Sequence, residues 1–362
     1  MASSPTELAV RSGNLVKVAV VSPYALDAPG GVQNQVIELT KRLGDQGVDA
    51  WAVGPGRRGP LGSRLLGRGI SIPVNGSRAP LGLQPSILRR AATAVQGADV
   101  VHLHEPFVPV IGWALLGRSG IPIVGTFHAD PSSLVRGAYR RLRPVAGRIA
   151  KNLSIATAVS EVAASAVRPF LPDVTIIPNA IDTAEYRPDV KKDPHRVAFL
   201  GRDEPRKGLD VLLAAWPAIT NAVPDAELDV IGTYRSDRTD GVRFLGRVDG
   251  KDKADRLAES AIFVAPNLGG ESFGITLLEG MAAGCAVVAS DLPAFTAVGD
   301  AAVRYFARGN ATDLAEAVID LLLDAAQTRE AGQHAVRRSQ TFDWTTVLPA
   351  YMQTYESAVR GH

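Results

Sequence analysis

Residues 15–54 read LVKVAVVSPYALDAPGGVQNQVIELTKRLGDQGVDAWAVG. Leu15 to Ser22 is a short, valine-rich apolar run, the pattern of a parallel strand buried on both faces. A glycine-containing loop, Pro23 to Gly31, follows. Val32, Val36, Leu39 and Leu43 then recur at helical spacing, and Asp49 to Gly54 (DAWAVG) reads as a second strand. Strand, loop, helix and strand in that order are the seed of a doubly wound α/β sheet.

The alternation continues along the chain. Asp99 to Leu103 and Ile121 to Thr126 predict strands, with shorter ones at Leu153 to Ala158 and Thr175 to Ile177. Between Gly54 and Ala98 the chain is rich in Gly, Pro and Arg, and only Pro85 to Val95 predicts a helix. A second series opens near His195. Its strands fall at Arg196 to Gly201, Ala226 to Gly232, Val242 to Leu245, Ala261 to Ala265 and Ala286 to Ser290. Helical patterns lie between them at Leu209 to Asn221, Lys251 to Ser260 and Gly274 to Ala283. The break at Pro178 to Pro194 is polar and holds three prolines, which suits an interdomain linker. Trp344, Leu348, Tyr351 and Tyr355 stand near helical spacing and predict a last helix that crosses back onto the first domain. The expected organisation is a loose leader over residues 1–14, a first domain over 15–178 joined by a helix at about 345–362, and a second domain over 179–344.

The 362 residues are 46% hydrophobic and 21% charged, which excludes a disordered or fibrous chain. A net charge of +2 argues against a dedicated nucleic-acid binder. The single cysteine, Cys285, allows no intrachain disulfide and no thiolate zinc cage. The longest apolar run, Phe107 to Gly117, is well short of the ~20 residues of a spanning helix and contains a proline. Met1 to Asn14 lacks the apolar centre of a signal peptide. The expected location is cytoplasmic.

Three stretches carry chemistry. Pro29-Gly30-Gly31-Val32 sits between the first strand and its helix, where paired glycines allow close backbone approach and the helix N-terminus offers N–H groups to a phosphate. It also reads simply as a tight loop. No dinucleotide GxGxxG and no Walker sequence occurs. Gly201 to Gly208, GRDEPRKG, follows a strand and precedes a helix; Arg202, Arg206 and Lys207 would clamp a diphosphate there, or merely face water. The strongest stretch is NLGGESFGITLLE, Asn267 to Glu279. Its glycines free amides at a helix start for phosphate, Glu271 in the loop can accept from sugar hydroxyls, and Glu279 inside the helix can grip a ribose diol. The alternative is a cap-like acid and a surface glutamate. Among the histidines, His102 and His104 share one strand face and read as structural, since no third metal ligand accompanies them. His128 ends another strand, as a ligand-binding or a core-edge residue. His195, His334 and His362 have no supporting context. No serine-nucleophile elbow, HExxH or calcium loop is present.

Together these residues resemble the retaining, two-domain GT-B glycosyltransferases of family 4. The carriers are Gly30-Gly31, Arg202 to Lys207 and Glu271 with Glu279. Within that family, PYALDAPGGVQ (23–33), HEP (104–106), TFH (126–128), GRDEPRKG, LGGESFGI (268–275) and MAAGCAVVASDLPAF (281–295) are similar to the actinobacterial phosphatidylinositol mannosyltransferases. The resemblance implies two Rossmann-like domains facing a cleft, an acceptor-side first domain and a second domain that binds a nucleotide sugar. It implies transfer of mannose from GDP-mannose to phosphatidylinositol. The implied donor-binding residues are Gly30, Gly31, Arg202, Lys207, Val248, Asp249, Glu271, Ser272, Phe273, Gly274, Ile275 and Glu279. The implied catalytic group is His128, Arg202, Lys207 and Glu271. Tyr24, Gln33, Asn75, Arg78 and His128 are implied to bind the acceptor. Arg202, Lys207 and the helix dipole replace a cation, so no metal or other cofactor is expected. The leaving phosphate oxygen takes the acceptor proton on the same face; Glu271 is implied to contact sugar hydroxyls rather than act as a nucleophile. Peripheral attachment to the anionic inner face of the plasma membrane follows from the same resemblance; oligomeric state does not.

Two features depart from the family's pattern. Pro80 and Gly82 stand where those enzymes carry arginine, and the helix at 85–95 holds only Arg89 and Arg90. Gly250 stands where guanine readers often have a further acid. These departures favour the alternatives, a UDP-sugar donor or another lipid or small-molecule acceptor. A further alternative is a non-catalytic nucleotide-sugar binder or a sugar epimerase of the same fold.

Overall fold

The computed structural model describes residues 16–362 apart from 75–76, 83–84, 117–119, 130–146, 148–149 and 237–238. The chain divides into two units, Met1–Asn179 with Val347–His362, and Ala180–Thr346.

The first unit's described elements are β1 (Val18–Val21), α1 (Gly31–Asp45), β2 (Ala50–Gly54), β3 (Arg64–Leu65), β4 (Ile70–Val74), β5 (Ser77–Leu81), α2 (Pro85–Ala94), β6 (Val100–His104), α3 (Ile111–Leu116), β7 (Ile123–Phe127), β8 (Ile155–Ala158), α4 (Glu161–Val167) and β9 (Val174–Ile176). Seven strands form a parallel sheet in the order β3-β2-β1-β6-β7-β8-β9. Every residue of β1, VAVV, is buried, because helices covering both faces leave no solvent side to alternate with. Helix α1 buries Val36, Leu39 and Leu43, the residues spaced for one face. Val21, Val53, Leu66, Ile87, Leu103 and Ile111 form the core on one side of the sheet.

The second unit runs β10 (Asp193–Leu200), α5 (Leu209–Ala222), β11 (Glu227–Ile231), β12 (Val242–Gly246), α6 (Gly250–Glu259), β13 (Ser260–Ala265), α7 (Ile275–Ala282), β14 (Ala286–Ser290), α8 (Pro293–Gly299), β15 (Val303–Phe306), α9 (Ala311–Leu323) and α10 (Ala325–Ser339). Its sheet is also parallel, in the order β12-β11-β10-β13-β14-β15. Trp216, Phe199, Leu228, Val264 and Leu314 centre the core.

Both sheets begin in the middle. The chain walks outward from β1, or from β10, to one edge and then returns to the other side. This creates a topological switch point between β1 and β6 and another between β10 and β13, and ligands of such sheets bind beyond the strand C-termini there.

The final helix, α11 (Trp344–Arg360), starts in the second unit and ends in the first. Its Tyr351, Tyr355 and Ala358 are buried. The Tyr355 hydroxyl pairs with His102 Nδ1 at 2.7 Å, on strand β6. This is the expected crossing back to the first domain.

Several elements were not read from the sequence: β3, the β4–β5 pair, β15 and helices α3, α4, α8, α9 and α10. The antiparallel strands β4 and β5 pair outside the main sheet, where Pro73 and Pro80 obscure the strand pattern; a two-stranded ribbon tolerates them. Strand β15 is an edge strand, VRYF, only half buried and without a valine run.

Candidate functional site

In the second unit the two loops singled out by their sequence flank one switch point. Gly201 to Gly208 follows β10, and Pro266 to Gly274 follows β13. Gly208 is what brings them together. Its φ is +71°, and a Cβ there would stand 1.8 Å from the Pro266 carbonyl oxygen. Only glycine combines that conformation with that approach. Beside it, the Leu268 N–H donates to the Arg206 carbonyl at 2.8 Å.

The side chains then meet. Lys207 Nζ donates to Glu271 Oε2 at 2.8 Å, and the Asn267 amide donates to the same oxygen at 3.0 Å. Both members of the ion pair are mostly covered, with 12% and 16% of their side chains exposed. Arg206 donates to the Gly270 carbonyl at 3.1 Å, pairs with Glu204 at 2.7 Å and lies 3.9 Å from Glu271 Oε2. Arg202 stands at the rim with 56% of its side chain exposed, paired to Glu204 at 3.2 Å. The structure thus joins Lys207 to Glu271, while Arg202 lies on the same loop without touching Glu271.

Helix α7 opens at the end of the second loop. Gly274, its N-cap, has φ +108°, and a Cβ would strike the Phe295 ring at 2.9 Å. Phe273 is buried edge-on against Phe342, with ring centroids 5.6 Å apart. Ile275 begins the helix, whose first N–H groups and partial positive charge follow the Glu271–Gly274 loop. Ser272 lies in that loop. One and a half turns on, Glu279 is 8% exposed. Its Oε1 accepts from the Tyr186 hydroxyl at 2.9 Å and from Lys253 Nζ at 2.6 Å. Burial, with the Glu279 charge beside it, pushes the Tyr186 phenol well above its usual range, so it stays protonated and donates. Val248 and Asp249 follow β12. Asp249 serves as the N-cap of α6, accepting the Asp252 N–H at 2.8 Å.

In the first unit, Gly30 is the N-cap of α1 and Gly31 its first residue. The Gln33 side chain folds back so closely that a Cβ on Gly30 would lie 2.3 Å from its Oε1. The Tyr24 N–H donates to Ser22 Oγ at 3.1 Å just beyond β1, and Tyr24 forms a bridge to Leu81. Asn75 lies outside the described residues; Arg78 is on β5, where only the backbone is described.

His128, beyond β7, belongs to a buried histidine cluster. Its Nε2 pairs with His104 Nδ1 at 2.7 Å, with the rings stacked at 4.9 Å. His102 pairs through its other nitrogen with Thr126 Oγ1 at 2.6 Å. Desolvation pushes His102 and His128 down to about 3 and His104 well below its usual value, so all three are neutral. Glu105 fixes the segment that carries His128. It adopts φ +50°, is buried, and accepts the N–H groups of His128 and Ala129 at 2.6 and 2.7 Å. Burial raises its carboxyl to about 7 against the pull of those two bonds.

Residues 29–185 match the model of glycosyltransferase family 4, and residues 194–324 match that of glycosyl transferases group 1. The phosphatidyl-myo-inositol mannosyltransferase of Mycolicibacterium smegmatis is 35% identical, over 94% of this chain and 94% of that protein. That of Mycobacterium leprae is 37% identical over 94% and 97%, and that of Propionibacterium freudenreichii 34% over 96% of each. The chain belongs to glycosyltransferase family 4, in the phosphatidyl-myo-inositol mannosyltransferase group. The fold agrees: sucrose-phosphate synthase from Thermosynechococcus elongatus superposes with a TM-score of 0.73 at 20% identity, over 96% of this chain and all of the other. HepE of Anabaena, solved with UDP and glucose, does so with 0.73 at 18% identity, over 94% and 100%. The two parallel-sheet units are the halves of a GT-B glycosyltransferase.

Four residues of this glycosyltransferase stand beside the expected site residues yet escaped the sequence reading. Asn267 and Glu105 lie inside quoted motifs but carry no role that spacing reveals. Lys253 sits in a solvated-looking helix, GKDKADRLAE. Tyr186 sits in what reads as linker.

Proposed function

We propose that this family-4 enzyme transfers mannose from GDP-mannose to phosphatidylinositol with retention of configuration. The observation that carries the reading is the contact between Lys207 and Glu271 across the β10/β13 switch point. An ammonium there neutralises charge on a leaving diphosphate, and the α7 N-terminus adds its dipole. Glu271 accepts from hydroxyls of the donor sugar, and Arg202 folds in from the rim onto the diphosphate. Glu279 takes the ribose. Lys207, Arg202 and the α7 dipole supply the positive charge that a metal would bring, so turnover persists in a chelator. The leaving oxygen accepts the proton of the attacking inositol hydroxyl.

The acceptor is a lipid, and the proposed location is peripheral, at the inner face of the plasma membrane. No helix among the described residues is long and apolar enough to cross a membrane. The segment between β2 and β4 supports surface docking. Leu61 is fully exposed, Leu65 and Ile70 are partly so, and Arg57, Arg58 and Arg68 are exposed around them. Each such arginine contributes ~1 kcal/mol toward an anionic surface.

The test is donor turnover with GDP-mannose, UDP-glucose and UDP-N-acetylglucosamine, with and without phosphatidylinositol vesicles. Transfer from GDP-mannose only in the presence of the lipid supports the reading. A second reading, a UDP-sugar or a soluble acceptor, is favoured by the thin basic face of α2, where Arg90 is spent on the Leu66 carbonyl at 3.3 Å. Turnover of a UDP-sugar, or indifference to the lipid, would establish that reading instead.

A further inference from the structure

Glu279 is held from two sides. The Tyr186 hydroxyl and Lys253 Nζ both donate to Oε1. A carboxylate that grips a vicinal diol must present a fixed oxygen, because both hydroxyls donate to it and a freely rotating group loses that geometry. Tyr186 is suited to fix it. It is 5% exposed and two rotatable bonds long. The backbone that carries it is anchored: the Tyr186 N–H donates to the Thr183 carbonyl, and Thr183 donates from its N–H and its hydroxyl to Asp343 Oδ2, at 3.0 and 2.7 Å. The Ile181 N–H donates to the Phe342 carbonyl at 3.0 Å. Lys253 is the less rigid partner, a long side chain with 27% exposure.

We infer that Tyr186 is a positioning residue that orients Glu279 toward the ribose 2′- and 3′-hydroxyls of the donor nucleotide. The inference rests on the reading of Glu279 as the ribose acceptor. It gives a function to a segment that otherwise only links the two units. The chain enters the second unit through the residue that sets its nucleotide grip.

The probes are GDP and 2′,3′-dideoxy-GDP, with affinities measured by calorimetry on the full-length protein. The wild-type protein binds GDP more tightly than the dideoxy nucleotide. In Tyr186→Phe that ratio shrinks ~3- to 10-fold, the equivalent of one hydrogen bond, while dideoxy-GDP affinity stays within twofold of wild type. Glu279→Gln serves as the reference and shrinks the ratio at least as far. A general packing role for Tyr186 would instead weaken both nucleotides equally, and that result overturns the inference. So does an unchanged ratio in Tyr186→Phe. If the wild-type protein binds GDP and does not distinguish the two nucleotides, the ribose reading of Glu279 fails first, and this inference with it. Phe keeps the ring that fills the site, so the variant tests the hydroxyl rather than the fold.

Discussion

Lys207 and Glu271 carry the sharpest residue-level expectation. On the proposed function, donor binding replaces their pairing and the ammonium passes to the diphosphate. Replacing Lys207 by alanine should lower kcat ~100-fold, the effect of removing one preorganised stabiliser of developing charge. The melting temperature should barely move, because the pair sits at a loop end rather than in the core. Steady-state kinetics beside a thermal scan checks this; near-wild-type turnover would remove Lys207 from the chemistry. Glu105 makes the opposite kind of prediction. Glu105→Ala leaves two covered N–H groups unpaired, at ~1–3 kcal/mol each, whereas Glu105→Gln keeps an acceptor oxygen in place. Urea unfolding should therefore show a loss for alanine that glutamine largely restores.

At the scale of elements, Gly208 joins two loops and Tyr355 joins a helix to a sheet. Gly208→Ala must accept a left-handed φ, at ~1–3 kcal/mol, and a methyl group driven into the Pro266 carbonyl. The loops after β10 and β13 must separate to relieve it. Loss of GDP binding together with a lowered melting temperature is expected, and calorimetry on the variant reads both. Tyr355→Phe keeps the packing of α11 but strips a buried nitrogen of His102 of its partner. The expected cost is ~1–3 kcal/mol of stability, read from the urea midpoint with an unchanged slope.

For the whole molecule the buried histidines carry an expectation about acid. Unfolded histidines bind protons near 6.5, whereas His102 and His128 in the fold do so only near 3, and His104 also well below 6.5. Stability from these three is complete above about pH 6.5 and is lost as the pH falls from there toward 3. Glu105 acts in the other sense: its folded value near 7 exceeds its unfolded 4.5, so its contribution weakens as the pH rises through that window. Three groups outweigh one, and the melting temperature should fall between pH 6.5 and 4.5. A flat profile across that range would show that the cluster is protonated without penalty.

The class of fold, the doubling of the strand–helix series and the closing helix were all legible along the chain. Those rest on local patterns: valine runs such as VAVV, apolar residues at helical spacing, and prolines at the break. The sequence also marked Lys207, Glu271 and Glu279, because glycine-rich loops between strand and helix carry a signature within ten or so residues. The β4–β5 pair was hidden by its prolines. Which of the marked residues meet depends on how the strands are ordered in space. Lys207 and Glu271 are 64 positions apart and come together because β13 lies beside β10 in the sheet. Tyr186 reaches Glu279 across 93 positions, and Tyr355 reaches His102 across 253. Such contacts are set by strand order and helix packing, and no local pattern in the chain encodes them.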